Sequence, residues 1–374
     1  MESRKTVTPS RRLLAVGLVS IIAIAACGSG ASPSPTTAPT TAPTSAATEG
    51  PTAVPDAAAQ IEALKAKLQG KKISIGTSAF PNSSIVGAYK TVDFLKSDFG
   101  LDVDFRVMDS DPLVAAMISG QVQVGQLSLA GTANAVSAGA DFIAFGGDDQ
   151  KNLFLVASKD PIDSIEQLRG KLFGVTTNLN QITGQTARKC LQLAGLDIEK
   201  DVQLVRFNNT GEATAAIRSG QVLGGISGMF RLTKPTLEDG DIYNILCKGW
   251  EANPQLSSVW MADRKWLNDN KDFALAMNIA SLESARWAKA NKDAWIALDV
   301  STVENMTPEV AAIDYQNMVI DIDDWPVNGS LDQALCDSTL KVSFEFKAIE
   351  TEYKCSDLVT FDYQDQAVEI LGKQ

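Results

Sequence analysis

Histidine is absent from all 374 residues of this chain, and its absence excludes more chemistry than any motif adds. Ser-His-Asp and Cys-His nucleophile pairs, histidine general bases and histidine-bearing zinc sites are ruled out. Positive charge is also scarce: 33 Lys and Arg stand against 45 Asp and Glu, a formal net charge of −12. With no basic stripe to hold a phosphate backbone, no nucleic-acid partner is expected. The chain has no Walker-type loop, no GxGxxG turn and no CxxC pair, so the common nucleotide, dinucleotide and dithiol signatures are missing. Composition leaves Asp, Glu, Lys or Cys catalysis open, but nothing points to it. No metal or cofactor is expected.

Long apolar runs are missing too. The uncharged run from Leu13 to Ala26 is shorter than the roughly 20 residues that a transmembrane helix needs. It follows Arg4, Lys5, Arg11 and Arg12 and ends in Ile-Ala-Ala-Cys at Cys27. This N-terminus resembles a bacterial lipoprotein signal peptide with its lipobox. The resemblance implies cleavage before Cys27, a diacylglycerol on its thiol, and attachment to the outer face of the cell membrane. Residues 28–56 are rich in Pro, Ser and Thr and poor in large apolar side chains. They cannot bury enough surface to offset ordering entropy and are read as a disordered tether.

What remains is a body with ample core. Hydrophobic residues make up 45% of the chain, and the length suits two domains of ordinary size. AAAQIEALKAKLQG places Ile61, Leu64 and Leu68 at helical spacing. KKISIGTSAF reads as a strand running into a loop, IVGAYKTVDFLKSDFG as a helix stopped at Gly100, and LDVDFRVM as a second strand. Asp109, Ser110 and Asp111 then give N-cap chemistry to a helix with Pro112 in its first turn and Gly120 past its end. This alternation predicts an α/β fold with largely parallel sheets and ligands at the carboxyl ends of the strands.

The chain also repeats itself. AAMISGQVQVGQLS from Ala115 returns as AAIRSGQVLGGISG from Ala215, identical at half its positions. In each copy a helix ends at Ser-Gly and a short strand follows, Val122 to Leu127 and Val222 to Ser227. Two α/β units, each bringing a strand end toward a shared cleft, are expected.

The segments LVAAMISGQVQVGQLS, AGADFIAFGG, NLFLVASKDPIDSIEQLRGKLFGVTTN, RKCLQLAGLDIEKDVQLVRF, EATAAIRSGQVLGGISG and SVWMADRKWLNDNKDFALAMNIASLESARWAKAN occur in that order. Together they resemble the nitrate/sulfonate/taurine-type solute-binding proteins of ABC transporters, relatives of the thiamine-pyrimidine-precursor binders. The resemblance implies a two-lobed periplasmic-binding-protein type II fold with a hinge of two crossover strands, NLFLVAS ending near Ser158 and SVWMADRKW returning from Ser258. Lobe one would combine residues 71–156 with 260–374, and lobe two would span 157–259. A monomer would capture a small organic molecule, of the sulfonate, carboxylate or vitamin-precursor class, and hand it to an ABC permease. A ligand-presenting surface sensor and an enzyme on the same fold are the alternatives; the version that uses its own histidine as a substrate atom source is excluded.

Four loops are candidates for the cleft. The first supplies Ser78 and Phe80, where the bland alternative is a polar turn with its ring in the core. The second offers Ser128 and Leu129 at the end of the first repeat strand. The third, Thr176, Thr177 and Asn178, sets hydroxyls and an amide beside a helix start, where they hold an oxyanion or cap the helix. The fourth brings Met229 and Phe230 for an apolar body, and Arg231 for an anionic head group or as a solvated residue. This fourth loop departs from the Trp-Glu-Pro type segment common in the family, and the acidic residue usual after Gly-x-Val is Gln123 in one copy and Leu223 in the other.

Cys190, Cys247, Cys336 and Cys355 allow three pairings. Pairs confined to single lobes, Cys190 with Cys247 and Cys336 with Cys355, are expected, with four free buried thiols as the alternative. The tryptophans at helical spacing, among them Trp287 and Trp295, are read as core rather than as an aromatic box.

Overall fold

A computed structural model describes residues 57–374. The expected signal peptide, Cys27 and the tether lie outside the described residues. Two five-stranded sheets organise the chain. The first is built from β1 (Lys72–Thr77), β2 (Asp102–Val107), β3 (Val124–Leu127), β4 (Phe142–Gly147) and β10 (Val259–Asp263), in the order β2-β1-β3-β10-β4. The second contains β5 (Phe154–Ser158), β6 (Leu172–Thr176), β7 (Gln203–Phe207), β8 (Gly224–Gly228) and β9 (Asn244–Lys248), in the order β7-β6-β8-β5-β9. In each sheet the first three strands are parallel, and one strand antiparallel to both its neighbours, β10 or β5, is inserted beside them.

Burial on both faces explains the near-continuous apolar strands. Every residue of β4, FIAFGG, is buried, as is every residue of β1 after Lys72. Helices supply the covering layers. Leu64 and Leu68 of the helix Ala57–Leu68 join the core cluster that includes Ile73, Ile75, Trp260 and Met277. Trp260, Trp295 and Trp325 are fully buried, in keeping with a packing role.

The sequence repeat is a structural repeat down to its hydrogen bonds. Helices Ser110–Ile118 and Thr210–Ser219 each end at a left-handed glycine, Gly120 and Gly220, both at φ 74°. After each, two successive amides turn back to one carbonyl: Gln121 and Val122 to Ala116, Gln221 and Val222 to Ala216. That turn consumes the residues expected to open the strands, so β3 and β8 begin two positions later, at Val124 and Gly224. Gly125 then pairs with Gly76, and Gly225 with Gly174. Contact is close at both glycines. A Cβ on Gly125 would fall 2.3 Å from the Met117 sulfur, and one on Gly225 2.8 Å from the Gly174 carbonyl oxygen.

The chain passes from the first sheet to the second between Gly147 and Phe154, and returns between Lys248 and Val259. β5 therefore lies wholly in the second sheet and β10 wholly in the first. The two passages run side by side: the Asp148 amide donates to the Ser258 carbonyl at 3.1 Å, and the Ser258 and Ser257 amides donate to the carbonyls of Asp149 and Gln150. Cys190 pairs with Cys247 and Cys336 with Cys355. The first bridge ties a helix to β9 of the second sheet, and the second lies in the core under β4 and β10 of the first, so neither staples one sheet to the other. Among the described residues no helix is long and apolar enough to cross a membrane.

Candidate functional site

Parallel strands deliver their carboxyl ends, and the amino ends of the following helices, to one side of each sheet. Here those ends from both sheets face a common cavity of about 520 Å³. Ser78, Phe80, Asp109, Asp111 and Ser128 line it from the first sheet, and Thr176, Thr177, Asn178, Thr210, Phe230 and Arg231 from the second. Asp149, Ser257 and Ser258 of the two passages close its floor.

Ser78, Phe80, Ser128, Thr176, Thr177, Asn178, Phe230 and Arg231 are brought together on the cavity wall. Leu129 and Met229 are not. Leu129 is the first residue of the helix Leu129–Ser137 and is fully buried with Ala133, Leu256 and Leu340. Met229 opens the turn Met229–Arg231, its amide held by the Leu153 carbonyl, and packs among core residues of both walls. In both cases the strand end is where sequence placed it, but the first turn rotates an apolar side chain inward because only that direction buries it.

The loop after β1 is held by a chain of bonds. The Ala79 amide donates to Thr77 Oγ1 at 3.1 Å, Thr77 Oγ1 to Gln126 Oε1 at 2.5 Å, and Gln126 Nε2 to Asp148 Oδ2 at 2.6 Å. Capping divides the helix starts. Ser128 Oγ accepts from the Gly131 amide and Asn209 Oδ1 from the Glu212 amide, so those starts are satisfied from within. The helix at Ser110 has Asp111 in its first turn. The helix Ile182–Leu193 has no side-chain cap on its preceding Gln181 and no acidic residue in its first turn. Neither Thr177 nor Asn178 caps it: Asn178 Oδ1 accepts from the Asn180 amide, and the Thr177 amide donates to Phe207. Its positive end therefore faces the cavity uncompensated, beside Thr176 and Thr183, whose hydroxyls lie 2.7 Å apart.

Arg231 lines the same cavity beside the start of the helix Thr210–Ser219. Its guanidinium donates through Nε to Thr210 Oγ1 at 3.1 Å and lies 5.5 Å from the Phe230 ring centre. Among the described residues it has no carboxylate within ion-pair distance. Burial lowers its pKa from the ordinary guanidinium value, the mark of a cation without its counter-charge.

Sequence reading missed the acids of the floor. Burial pushes Asp149 up to about 6, against the opposing pull of the Ser258 and Ser257 hydroxyls. Asp148 and Asp324 are held well above the usual carboxylate range, by burial and by the charge of Asp149. The available signal was an acidic pair placed directly after the wholly apolar strand FIAFGG. Asp109, expected to cap the helix Ser110–Ile118, stands at the N-cap position without a side-chain capping bond, and it lines the cavity together with Asp111.

A cleft at the strand ends of two like α/β sheets, joined by two antiparallel passages, defines a two-lobed substrate-binding fold. The chain belongs to the family described as ABC transporter, phosphonate, periplasmic substrate-binding protein, whose sequence profile matches residues 75–299. It is thus an extracytoplasmic solute-binding protein that serves an ABC permease with a small-molecule ligand. Solved structures agree on the fold. The periplasmic aliphatic sulphonate binding protein SsuA from Escherichia coli is 16% identical, with a TM-score of 0.62 over 78% of this chain and 92% of that one. The alkanesulfonate-binding SsuA from Xanthomonas axonopodis pv. citri, bound to MOPS, is also 16% identical, with a TM-score of 0.62 over 78% and 99%. The periplasmic nitrate-binding protein NrtA from Synechocystis PCC 6803 is 12% identical, with a TM-score of 0.65 over 81% and 89%. Comparison with curated protein sequences finds no match.

Proposed function

We propose that the cleft captures a small organic oxyanion, a sulfonate, phosphonate or carboxylate, and releases it unchanged to the permease. The observation that carries this reading is that one cavity is lined both by Arg231, a partly buried cation without a carboxylate partner, and by the uncapped start of the helix Ile182–Leu193. A guanidinium offers a planar fork to two oxygens of a head group, and free helix amides accept the remaining charge. Thr176, Thr177 and Asn178 complete the seat on that wall, while Ser78, Phe80 and Ser128 meet the ligand from the other. Phe80 is 45% exposed, more than a core ring would be, and offers an apolar face to the organic body. The solved relatives named for sulfonates and nitrate support an anion as the charge class.

The reading is of capture without chemistry, by a monomer whose lobes divide along the two passages. The basic n-region and the Ile-Ala-Ala-Cys motif support a lipid anchor at Cys27, with residues 28–56 as the tether that holds the body off the membrane. A thermal-shift series tests the ligand class. Ethylphosphonate, ethanesulfonate, taurine and propionate are set against the uncharged ethanesulfonamide, with the anions expected to raise the unfolding midpoint and the amide to leave it unchanged. Stabilisation by the amide alone would remove the oxyanion reading.

A further inference from the structure

Outside the cavity, one carboxylate touches both of its walls. Asp314 ends the helix Pro308–Asp314, is fully buried and does not line the cavity. Its Oδ2 accepts from Ser83 Oγ at 2.7 Å, and its Oδ1 accepts from Thr233 Oγ1 at 2.5 Å. Ser83 opens the turn Ser83–Ile85 after β1, and its neighbour Ser84 lines the cavity. Thr233 begins the helix Thr233–Asp239 after β8, two residues beyond the cavity residue Arg231. A single buried side chain thus joins the loop bearing Ser78 and Phe80 to the segment bearing Phe230 and Arg231.

The surroundings leave this link to hydroxyls. Asp299 lies behind Asp314, fully buried, near enough to feel its charge and the Ser83 hydroxyl. Lys234, the nearest lysine in sequence, sends its ammonium to Glu238 and to the Asn305 carbonyl instead. That second bond ties the same helix to the segment before Pro308 and reinforces the link in the same place. A carboxylate offers two acceptor oxygens pointing apart, one for a hydroxyl of each wall, and bonds to a charged acceptor are the stronger kind.

We propose that Asp314 is a positioning residue for ligand capture: by holding Ser83 and Thr233 together it sets the closed spacing between Arg231 and the loop after β1. Only the binding arm of its test rests on the oxyanion reading. Removing either bond shifts the balance toward open lobes, and a ligand that needs both walls then binds more weakly in proportion to the closed fraction lost.

The test uses the full chain with Thr233→Val, which keeps the shape and removes the hydroxyl, Thr233→Ser, which keeps the hydroxyl, Asp314→Asn, and the Thr233→Val/Asp314→Asn double variant. Small-angle scattering without ligand should show Thr233→Val and Asp314→Asn expanded by roughly 1 Å in radius of gyration and Thr233→Ser unchanged. Calorimetry with ethylphosphonate should show each of the two weakened by roughly tenfold and the double variant no weaker than either alone, as expected for one shared interaction. Expansion in scattering with no ethylphosphonate binding by any form would sink the oxyanion reading and leave this proposal standing. A fall in unfolding midpoint with scattering and affinity unmoved overturns it, since Asp314 would then support the fold alone. So does Thr233→Ser behaving like Thr233→Val.

Discussion

Acidifying the protein from about pH 7.5 to about pH 5 is expected to raise its unfolding midpoint by roughly 5–10 °C, the reverse of ordinary acid denaturation. The cause is a set of buried acids without cationic partners. Burial pushes Asp149 and Asp314 up to about 6 and Asp299 up to about 7, and holds Asp148 and Asp324 well above the usual carboxylate range. In the unfolded chain the same groups titrate near 4. Between about 4 and 7 the folded state binds more protons than the unfolded one, so stability falls as pH rises through that window. The contribution is full below the unfolded value and is lost once pH passes the folded values. The excess negative charge of the chain acts in the same direction. Differential scanning calorimetry at constant ionic strength across this range measures the slope. A midpoint that climbs toward neutral pH would mean that cations or solvent reach these carboxyls in solution.

Replacing Arg231 by glutamine is expected to weaken binding of an oxyanion such as ethylphosphonate by about 100-fold, with the fold intact. Glutamine keeps much of the length and can still donate to Thr210, but it brings no charge. The lost interaction is charge-assisted and partly shielded from water, so more of its strength survives than in an exposed ion pair. Arg231→Lys should fall between the two, because an ammonium restores the charge without the planar fork. Titration calorimetry with all three proteins gives the ranking. Equal affinities would move the head group away from Arg231. The unfolding midpoint of the glutamine form should hold or rise slightly, since a half-buried unpaired cation is a cost to the ligand-free fold.

Much of this architecture was legible because local signals agreed. The alternation of strand and helix, the doubled Ser-Gly-Gln-Val and the glycines at helix ends each fixed a unit whose geometry depends on few neighbours. The α/β units, and the loops carrying Ser128 and Arg231 at the ends of the repeat strands, followed from that; the two-lobed fold and the loops carrying Ser78 and Thr176 came with the family resemblance. What escaped was tertiary. Leu129 and Met229 sit at the right strand ends, but which way a first turn rotates depends on the helices packed against it. The acids of the floor escaped for another reason: Asp148 and Asp149 look like ordinary loop residues until β10 and the segment around Asp324 close over them. Asp314 is 231 residues from Ser83 and 81 from Thr233, and no periodicity carries information over such distances.

The position of β10 bears on how the molecule assembles. β10 lies between β3 and β4 and is antiparallel to both, yet the chain reaches it only after every strand of the second sheet. A chain emerging from its amino end therefore completes the second sheet from a contiguous stretch, with the Cys190–Cys247 bond available to it. The first sheet can pair only β2, β1 and β3 until residues 259–263 arrive, leaving the β3 edge open and β4 without a strand partner. The half that holds Ser78 and Ser128 thus cannot complete its sheet until the whole second sheet has been made, and over that interval it presents an open strand edge of the kind that invites wrong pairing.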